Sequence, residues 1–439
     1  MQKKQEKVGL IWFTTNLRTK DLSSLTKAQS ICSDLIAVYF IDPIHFKETP
    51  YGFKRQSVFR VQFLLETLKD LKLQLKELGI SFLILKGSPR DYLPNLMKQY
   101  QISDLFAQKE FTSEETSTYS DCIAASPSEV QWHFQYDQFL IAPQQSPFNS
   151  IHEVPFQFTA FRKKIESKPN EITLEPKPYK INSKFQLHTE LPSLKELGYD
   201  AIETDHRSAF QYKGGSAQAL LRLEEYFWKT NKVSFYKKTR NQLIGSSYST
   251  KFSPYLALGA ISAKTIVNEL HNYESTIVKN ESTYWVFFEL LWRDFFKYTA
   301  LKYTDNFFKI GGLKNSSYTY YHDFDKVTSW IQGATNDDFV NANMLELKHT
   351  GWMSNRGRQN VASYFVHQLQ QDWRIGAAYF ESLLLDYDVH SNYGNWMYVA
   401  GVGNDPRSRM FNTQLQAERY DPSKSFQKLW LQTSLSLWN

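Results

Sequence analysis

Residues 56–85 read QSVFRVQFLLETLKDLKLQLKELGISFLIL, and this stretch decides the fold. From 56 to 78 apolar residues return near every 3.6 positions: Phe59, Phe63, Leu68, Leu71, Leu75 and Leu78. That period predicts an amphipathic helix. Gly79 stands where a helix stops, because glycine enters left-handed backbone at no steric cost. Residues 80–85 then form a short β-rich run. Comparable runs stand at 9–13, 35–41, 102–107 and 130–134. Strands separated by helices predict a parallel, doubly wound α/β sheet with right-handed crossovers. No G-x-G-x-x-G follows the first strand, so the usual dinucleotide fingerprint is missing.

Outward from this unit the pattern changes twice. Between 137 and 205 seven prolines fall among polar residues, which predicts a long irregular connector with one short helix over 156–165. After 205, helix-period apolar faces recur at 216–228, 262–270, 284–301, 358–369 and 375–385. No fixed repeat is present, so a solenoid is excluded. The expected architecture is an α/β domain over 1–136, a connector over 137–205 and an all-α domain over 206–439.

Composition narrows the class. The chain has 439 residues, 51 basic and 45 acidic, a net charge of +6 that is compatible with a nucleic-acid partner without requiring one. Aromatic residues reach 16%, which excludes a mainly disordered chain. Two cysteines, Cys32 and Cys122, exclude a disulfide scaffold and a cysteine zinc module. The apolar run at 8–13 is too short for a signal peptide, and nothing approaches the roughly 18 apolar residues of a membrane span. The expected location is cytoplasmic, with no membrane partner.

Four segments carry chemistry. In Tyr284–Phe296, Glu289, Trp292, Arg293 and Phe296 share one helical face. A carboxylate and a guanidinium within so apolar a helix either pair with each other or serve a ligand. In Gly351–Ala362, Asn355, Arg358 and Gln359 share a face beside small residues, which suits a planar molecule or simply a polar helix start. Around Leu383–Trp396, Asp386 and Asp388 are two apart and flank Asn392. An oxygen-ligand metal site is the rival there, but Arg356, Arg358 and Arg374 nearby are able to neutralise the carboxylates, and no metal is expected. Finally, Ser249, Thr250, Lys251, Phe252 and Ser253 form a hydroxyl-rich loop before a helix, suited to a phosphate. Ser253 before Pro254 equally reads as a plain N-cap. Tyr236, Lys237 and Arg240 just upstream add an aromatic and positive charge of the kind that contacts a nucleic-acid backbone.

With these motifs in order, the chain resembles the photolyase/cryptochrome family, most closely its cryptochrome-DASH branch. The resemblance covers nearly the whole chain and is strongest from Phe210 on. It is carried by Phe210–Gly215, Tyr248–Pro254, Glu289-Leu-Leu-Trp-Arg293, Gly351–Asn360, Asp372-Trp-Arg374 and Asp386–Trp396. It implies an N-terminal antenna domain and a C-terminal helical domain holding FAD. By motif, Tyr236 and Ser249, Thr250, Lys251, Phe252 and Ser253 match contacts to the FAD phosphates and ribityl chain. Asn355, Arg358, Asp386 and Asp388 match ring-side contacts, with Arg358 pairing Asp386. Asn392 matches the residue facing flavin N5, where an amide is able to donate or accept. Trp396, Trp373 and Tyr320 match an electron relay, Tyr320 standing where the third tryptophan usually is. Glu289 and Trp292 match residues that touch a pyrimidine dimer. Arg240, Arg293, Gln359 and Tyr398 belong to the expected DNA-facing set. Glu115, with Glu114 beside it, falls where a folate antenna, methenyltetrahydrofolate, would be held.

Gln359 and Tyr398 stand where duplex-repairing relatives carry methionine and tryptophan, and both changes favour the DASH branch. Other departures are Thr14 and Asn16 for an arginine and an aspartate after the first strand, and Asn336–Asn341 for a more apolar helix start. The resemblance therefore implies FAD-dependent, blue-light-driven repair of cyclobutane pyrimidine dimers in single-stranded DNA. Its rivals are a blue-light receptor that controls a protein or nucleic-acid partner without repair, and a nucleic-acid-binding module with redox-inactive FAD.

Overall fold

Every residue of β1, Val8–Phe13, is buried, as a parallel strand with helices on both faces must be. The computed structural model describes residues 7–168, 172–317, 320–405 and 410–432. In it β1 pairs in parallel with β2 (Asp34–Ile41) and β4 (Asp104–Gln108). β3 (Ser81–Lys86) lies beyond β2 and β5 (Gln131–Gln135) beyond β4, giving the order β3-β2-β1-β4-β5. Helices α1 (Ser23–Ile31), α2 (Val58–Glu77), α3 (Pro89–Gln99) and α4 (Ser113–Ala125) make the crossovers.

The period-2 alternation of the strands builds two cores. Ile11, Phe13, Leu35 and Ala37 meet Leu25 of α1 and Leu68, Leu71 and Leu75 of α2. Leu10, Trp12, Ile36 and Val38 meet Leu93 and Leu96 of α3 and Tyr119 and Cys122 of α4. Gly79 has φ +72, and a Cβ there would lie 2.2 Å from the Ile181 carbonyl oxygen. Glycine thus ends α2 and lets the connector cross it.

That connector is tied down along the α/β unit. Ile181 N–H donates to Leu78 O (2.9 Å), the Tyr179 hydroxyl to Gln29 O (2.6 Å), and Ile84 N–H to the Thr189 hydroxyl (2.7 Å). Its helix α5 (Phe158–Glu166) instead packs into the core of the helical part.

The helical part runs through α6 (Ser216–Glu224), α7 (Tyr236–Thr239), α8 (Ser253–Ala257), α9 (Ala263–Thr276), α10 (Glu281–Tyr303), α11 (Phe324–Gln332), α12 (Asp338–Thr350), α13 (Asn355–Ser363), α14 (Trp373–Leu383), α15 (Val389–Val399), α16 (Thr413–Tyr420) and α17 (Ser425–Leu431). α10 starts on a capping box from Asn280 and Thr283, and crosses a core that includes Tyr226, Phe295, Trp330, Met344, Phe365 and Trp373. The polar departure at 336–341 starts α12 normally: Asp337 accepts from Val340 N–H (2.9 Å), and Asn341 takes Thr335 N–H (2.8 Å). No helix among the described residues is long and apolar enough to cross a membrane.

Candidate cofactor and substrate cavities

A cavity of about 460 Å³ opens among α10, α13 and α15. It gathers Glu289, Trp292, Asn355, Arg358, Gln359, Asp386, Asp388, Asn392, Trp396 and Tyr398, with Arg240 at its rim. Residues up to 158 apart in the chain thus converge.

The polar side of the cavity is held by two ion pairs. Arg358 donates to both carboxylate oxygens of Asp386 (3.0 and 2.9 Å) and to Met353 O (2.9 Å). Asp388 pairs instead with Lys297 of α10 at 2.8 Å, where Lys297 is nearly inaccessible. Burial pushes the Asp388 carboxyl up, but the Lys297 cation outweighs that and holds it well below the carboxylate range. Asp388 also accepts Ser391 N–H and so caps α15. Among the described residues no group of three His, Cys, Asp or Glu is placed to hold a metal.

Asn392 donates its NH2 to Ala377 O (2.9 Å). That bond uses one of the two N–H donors of the amide, so Asn392 is still able to donate or to accept toward the cavity.

The 249–253 loop has a division of labour. The guanidinium of Arg222, itself buried, takes the carbonyls of Ser246, Ser249 and Thr250 at 2.9–3.0 Å. Among the described residues, the backbone N–H groups of Ser249, Thr250, Lys251, Phe252 and Ser253 find no protein acceptor. Five consecutive unspent donors before a helix N-terminus fit a pyrophosphate. The N-cap of α8 is Phe252 and Ser253 is the first helical residue, so Ser253 is not the cap its place before Pro254 suggests. The Lys251 ammonium does not join the loop. It lies 3.5 Å from the Tyr248 ring centroid and 4.9 Å from that of Trp352, buried inside, and burial lowers its pKa. Tyr236 is buried in the helical core. The loop's N–H donors and the polar wall made by the ring-side pairs fit a flavin dinucleotide.

The substrate side departs from expectation. Glu289 does not pair with Arg293 one turn on. It pairs with Arg240, the residue that follows α7, and accepts from Trp285 Nε1 (3.1 Å) on the same oxygen. Arg293 spends two of its five N–H donors on Gln138 O (2.6 Å) and Leu256 O (3.1 Å), bridging the connector and α8. Gln359 takes Arg356 at its carbonyl oxygen (2.9 Å). Trp292 is stacked at 3.8 Å by Phe158 of the connector and met edge-on at 5.7 Å by Tyr398.

Trp396 also has unexpected company. Among the described residues its ring contacts are Trp330 (6.2 Å), Phe365 and Phe380, whereas Trp373 contacts Tyr393 (6.0 Å). Tyr320 lies beside the helical core, partly buried.

A second cavity, about 410 Å³, lies between the α/β and helical parts, over the ends of β1, β2 and β4. The strand order reverses between β1 and β4, the place where open α/β sheets take ligands. Glu115 is there, accepting from the Thr112 hydroxyl, and Glu114 pairs with Arg55 (2.9 Å). Glu110, which sequence reasoning passed over, is buried among them. Gln108 donates to it at 2.5 Å, and Thr14, the residue in place of the family's arginine, at 3.3 Å. Asn16 keeps a partner in Asp137 (3.1 Å). His390 lines this cavity as well. Burial and the Lys297 cation lower its pKa to about 4, so the ring is neutral and Nδ1 accepts from Lys297 at 3.1 Å. Tyr387 and Asp388 line both cavities and form the wall between them.

Burial and the charge of Glu115 raise the Glu110 pKa to about 7. The folded chain therefore keeps a proton that the unfolded chain releases between the ordinary glutamate pKa and about 7, and stability falls as pH rises through that window. The full span is worth roughly 3 kcal/mol. Glu110→Gln is expected to be the more stable protein above pH 7 and to flatten the decline. Equal pH profiles in thermal melts of the two proteins would remove Glu110 as its source.

Comparison with known proteins points to one family. Residues 9–180 match the family model described as DNA photolyase, and 285–436 match that described as the FAD binding domain of DNA photolyase. The chain is 42% identical over 428 residues to a cryptochrome DASH of Gloeobacter violaceus, covering 97% of this chain and 85% of that protein. It is 40% identical over 435 residues to that of Xenopus laevis, covering 95% and 81%. The crystal structure of a Synechocystis cryptochrome superposes with a TM-score of 0.92 at 39% identity, covering 98% and 89% of the two chains. A Sulfolobus tokodaii photolyase solved with two FAD molecules shares the fold, with a TM-score of 0.77 at 24% identity over 97% of this chain and 90% of that one.

Proposed function

The chain belongs to the photolyase/cryptochrome family, in its cryptochrome DASH branch, and from that premise we propose that it uses FAD and blue light to split cyclobutane pyrimidine dimers in single-stranded DNA. FAD supplies the chemistry, an electron lent to the dimer on excitation and then recovered. The chain's own residues bind, orient and insulate. The 249–253 loop takes the pyrophosphate, Arg358 and Asp386 lie beside the ring, and Asn392 donates to or accepts from it. Trp396 and Trp373 carry electrons to the ring from the protein side. Glu115 and Glu110 lie in the second cavity and would hold a methenyltetrahydrofolate antenna there.

The observation that carries the reading is the cavity itself. One opening brings the ring-side pair Arg358–Asp386 together with Glu289 and an indole, Trp292, already stacked on one face and so rigid. A repair site needs this juxtaposition of flavin and base, whereas a signalling flavoprotein has no need of Glu289 and Trp292 at its mouth.

Strand preference follows from energy. Base-flipping enzymes, photolyases among them, pay a few kcal/mol to extrude a base from a duplex. One aromatic–base stack returns about 1–3 kcal/mol. Tyr398 is already edge-on to Trp292, and the Gln359 carbonyl oxygen is tied to Arg356, so the cavity has little to offset flipping. Under blue light, with FAD reduced and salt matched, dimer repair is expected to be at least tenfold better by kcat/KM on single strands than on duplexes, since about 1.4 kcal/mol is tenfold. Comparable turnover on both would overturn the strand preference. Absence of repair on either would favour the receptor reading.

A further inference from the structure

Glu289 and Arg240 hold each other at the cavity mouth, and each is assigned to a different part of the substrate. The Glu289 side chain is 32% exposed and that of Arg240 17%. Both donors to Glu289, Arg240 Nη1 and Trp285 Nε1, reach the same oxygen. Trp285 is itself flanked by cations, with Lys237 Nζ 4.4 Å and the Arg240 guanidinium carbon 5.8 Å from its ring centroid. An ion pair keeps Glu289 charged, yet a carboxylate has no proton to donate to a pyrimidine carbonyl.

The other cavity arginines have fixed partners. Arg293 is bound to two backbone carbonyls and Arg358 to Asp386. Arg356 rests on three amide oxygens, those of Gln359, Gln416 and Asn241. Lys237 pairs with Glu281, and Lys297 with Asp388. Arg240 is thus the cation whose one acidic partner sits at the opening, where a strand's phosphates arrive.

We propose that Arg240 exchanges Glu289 for a backbone phosphate of the incoming strand, and that Glu289, released and covered by the dimer, takes a proton from solvent. The inference rests on the reading of this cavity as the dimer site. A phosphodiester oxygen competes well for guanidinium, with the added drive of counterion release. Loss of the arginine and loss of water both favour the neutral carboxylic acid. The bond formed is O–H on Glu289, the proton comes from the buffer, and no redox change occurs. Trp285 holds the carboxyl in place throughout, as a positioning residue. Asp386 and Asp388 keep their own cations, and Arg356 faces the cavity with no acidic partner among the described residues, so uptake stays somewhat below one proton.

The test is calorimetric titration in the dark of the FAD-loaded protein at pH 7. A dimer-bearing and an undamaged single strand are each run in two buffers of different ionisation heat. The dimer strand is expected to bind with uptake of about 0.5–1 proton, so that its affinity falls up to about tenfold per pH unit above neutrality. The undamaged strand, which leaves Glu289 in water, is expected to take up close to none. Glu289→Gln should abolish the uptake and make dimer affinity independent of pH. Arg240→Gln should keep the uptake and lower the salt slope by about 0.7, the share of one phosphate contact on a single strand. Tight dimer binding with equal heats in both buffers, or uptake undiminished in Glu289→Gln, would overturn the exchange and leave the dimer site standing. Equal affinity for damaged and undamaged strands would overturn both.

Discussion

Phenylalanine at Trp396 is expected to slow photoreduction of bound FAD about a hundredfold or more, since roughly 3 kcal/mol added to the barrier already costs two decades. A benzene ring is far harder to oxidise than an indole, so the first electron has no donor. The fold should tolerate the change. Trp396 is 2% exposed and packs on Gly376, where an added Cβ would lie 2.2 Å from its ring, so the smaller phenyl fits beneath the same neighbours. FAD content should stay unchanged, which separates electron supply from binding. Transient absorption after a blue flash, with an external reductant, reads the rate. A rate equal to wild type would remove Trp396 from the relay. Trp330→Phe and Trp373→Phe are each expected to give a partial loss, because Trp330 touches Trp396 and Trp373 is its motif-assigned successor.

Lys297→Met is expected to cost about 3–5 kcal/mol of stability, the penalty of leaving a buried carboxylate alone. Lys297 is 2% exposed and bonds to both Asp388 and His390. In wild type, Asp388 is held ionised below its ordinary range, so its contribution is present at neutral pH and is lost as pH falls through the folded-state value. The variant lacks that contribution at neutrality. It should melt lower and release FAD more readily, since Asp388 lines the ring-side cavity. Adding Asp388→Asn should restore part of the loss, because a neutral amide needs no counterion. A single-variant loss below about 1 kcal/mol, by urea titration, would show that water reaches the pair and shields it.

The strands and α2 were legible because their signals are local. A period of 2 or 3.6 survives in one sequence whatever packs against it, and Gly79 marks its own turn. The ring-side pair Arg358–Asp386 was singled out only through motif resemblance, since a separation of 28 positions hides it from any spacing rule. Three features stayed hidden. The Glu289–Arg293 spacing suits an i, i+4 pair, but the end of α7 delivers Arg240 to the same carboxylate, and Arg293 is drawn off by one carbonyl of the connector and one of α8. Lys251 sits in a phosphate-binding loop by sequence, yet its φ of +60 turns the side chain inward. Glu110 follows a strand with no motif around it, and only the closure of the helical part over the sheet makes it a buried acid. In each case tertiary contact, which leaves no local trace, decides where the side chain points.

The wall made by Tyr387 and Asp388 has a thermodynamic consequence. Two cavities that share a wall share the cost of ordering it, so their occupants are coupled and the coupling is reciprocal. A chromophore settling between the α/β and helical parts would fix Asp388 through His390 and Lys297, and FAD would then meet a carboxylate already in position. If that tightens FAD tenfold, FAD tightens the chromophore tenfold, about 1.4 kcal/mol either way. On that footing, loss of one occupant would loosen the other.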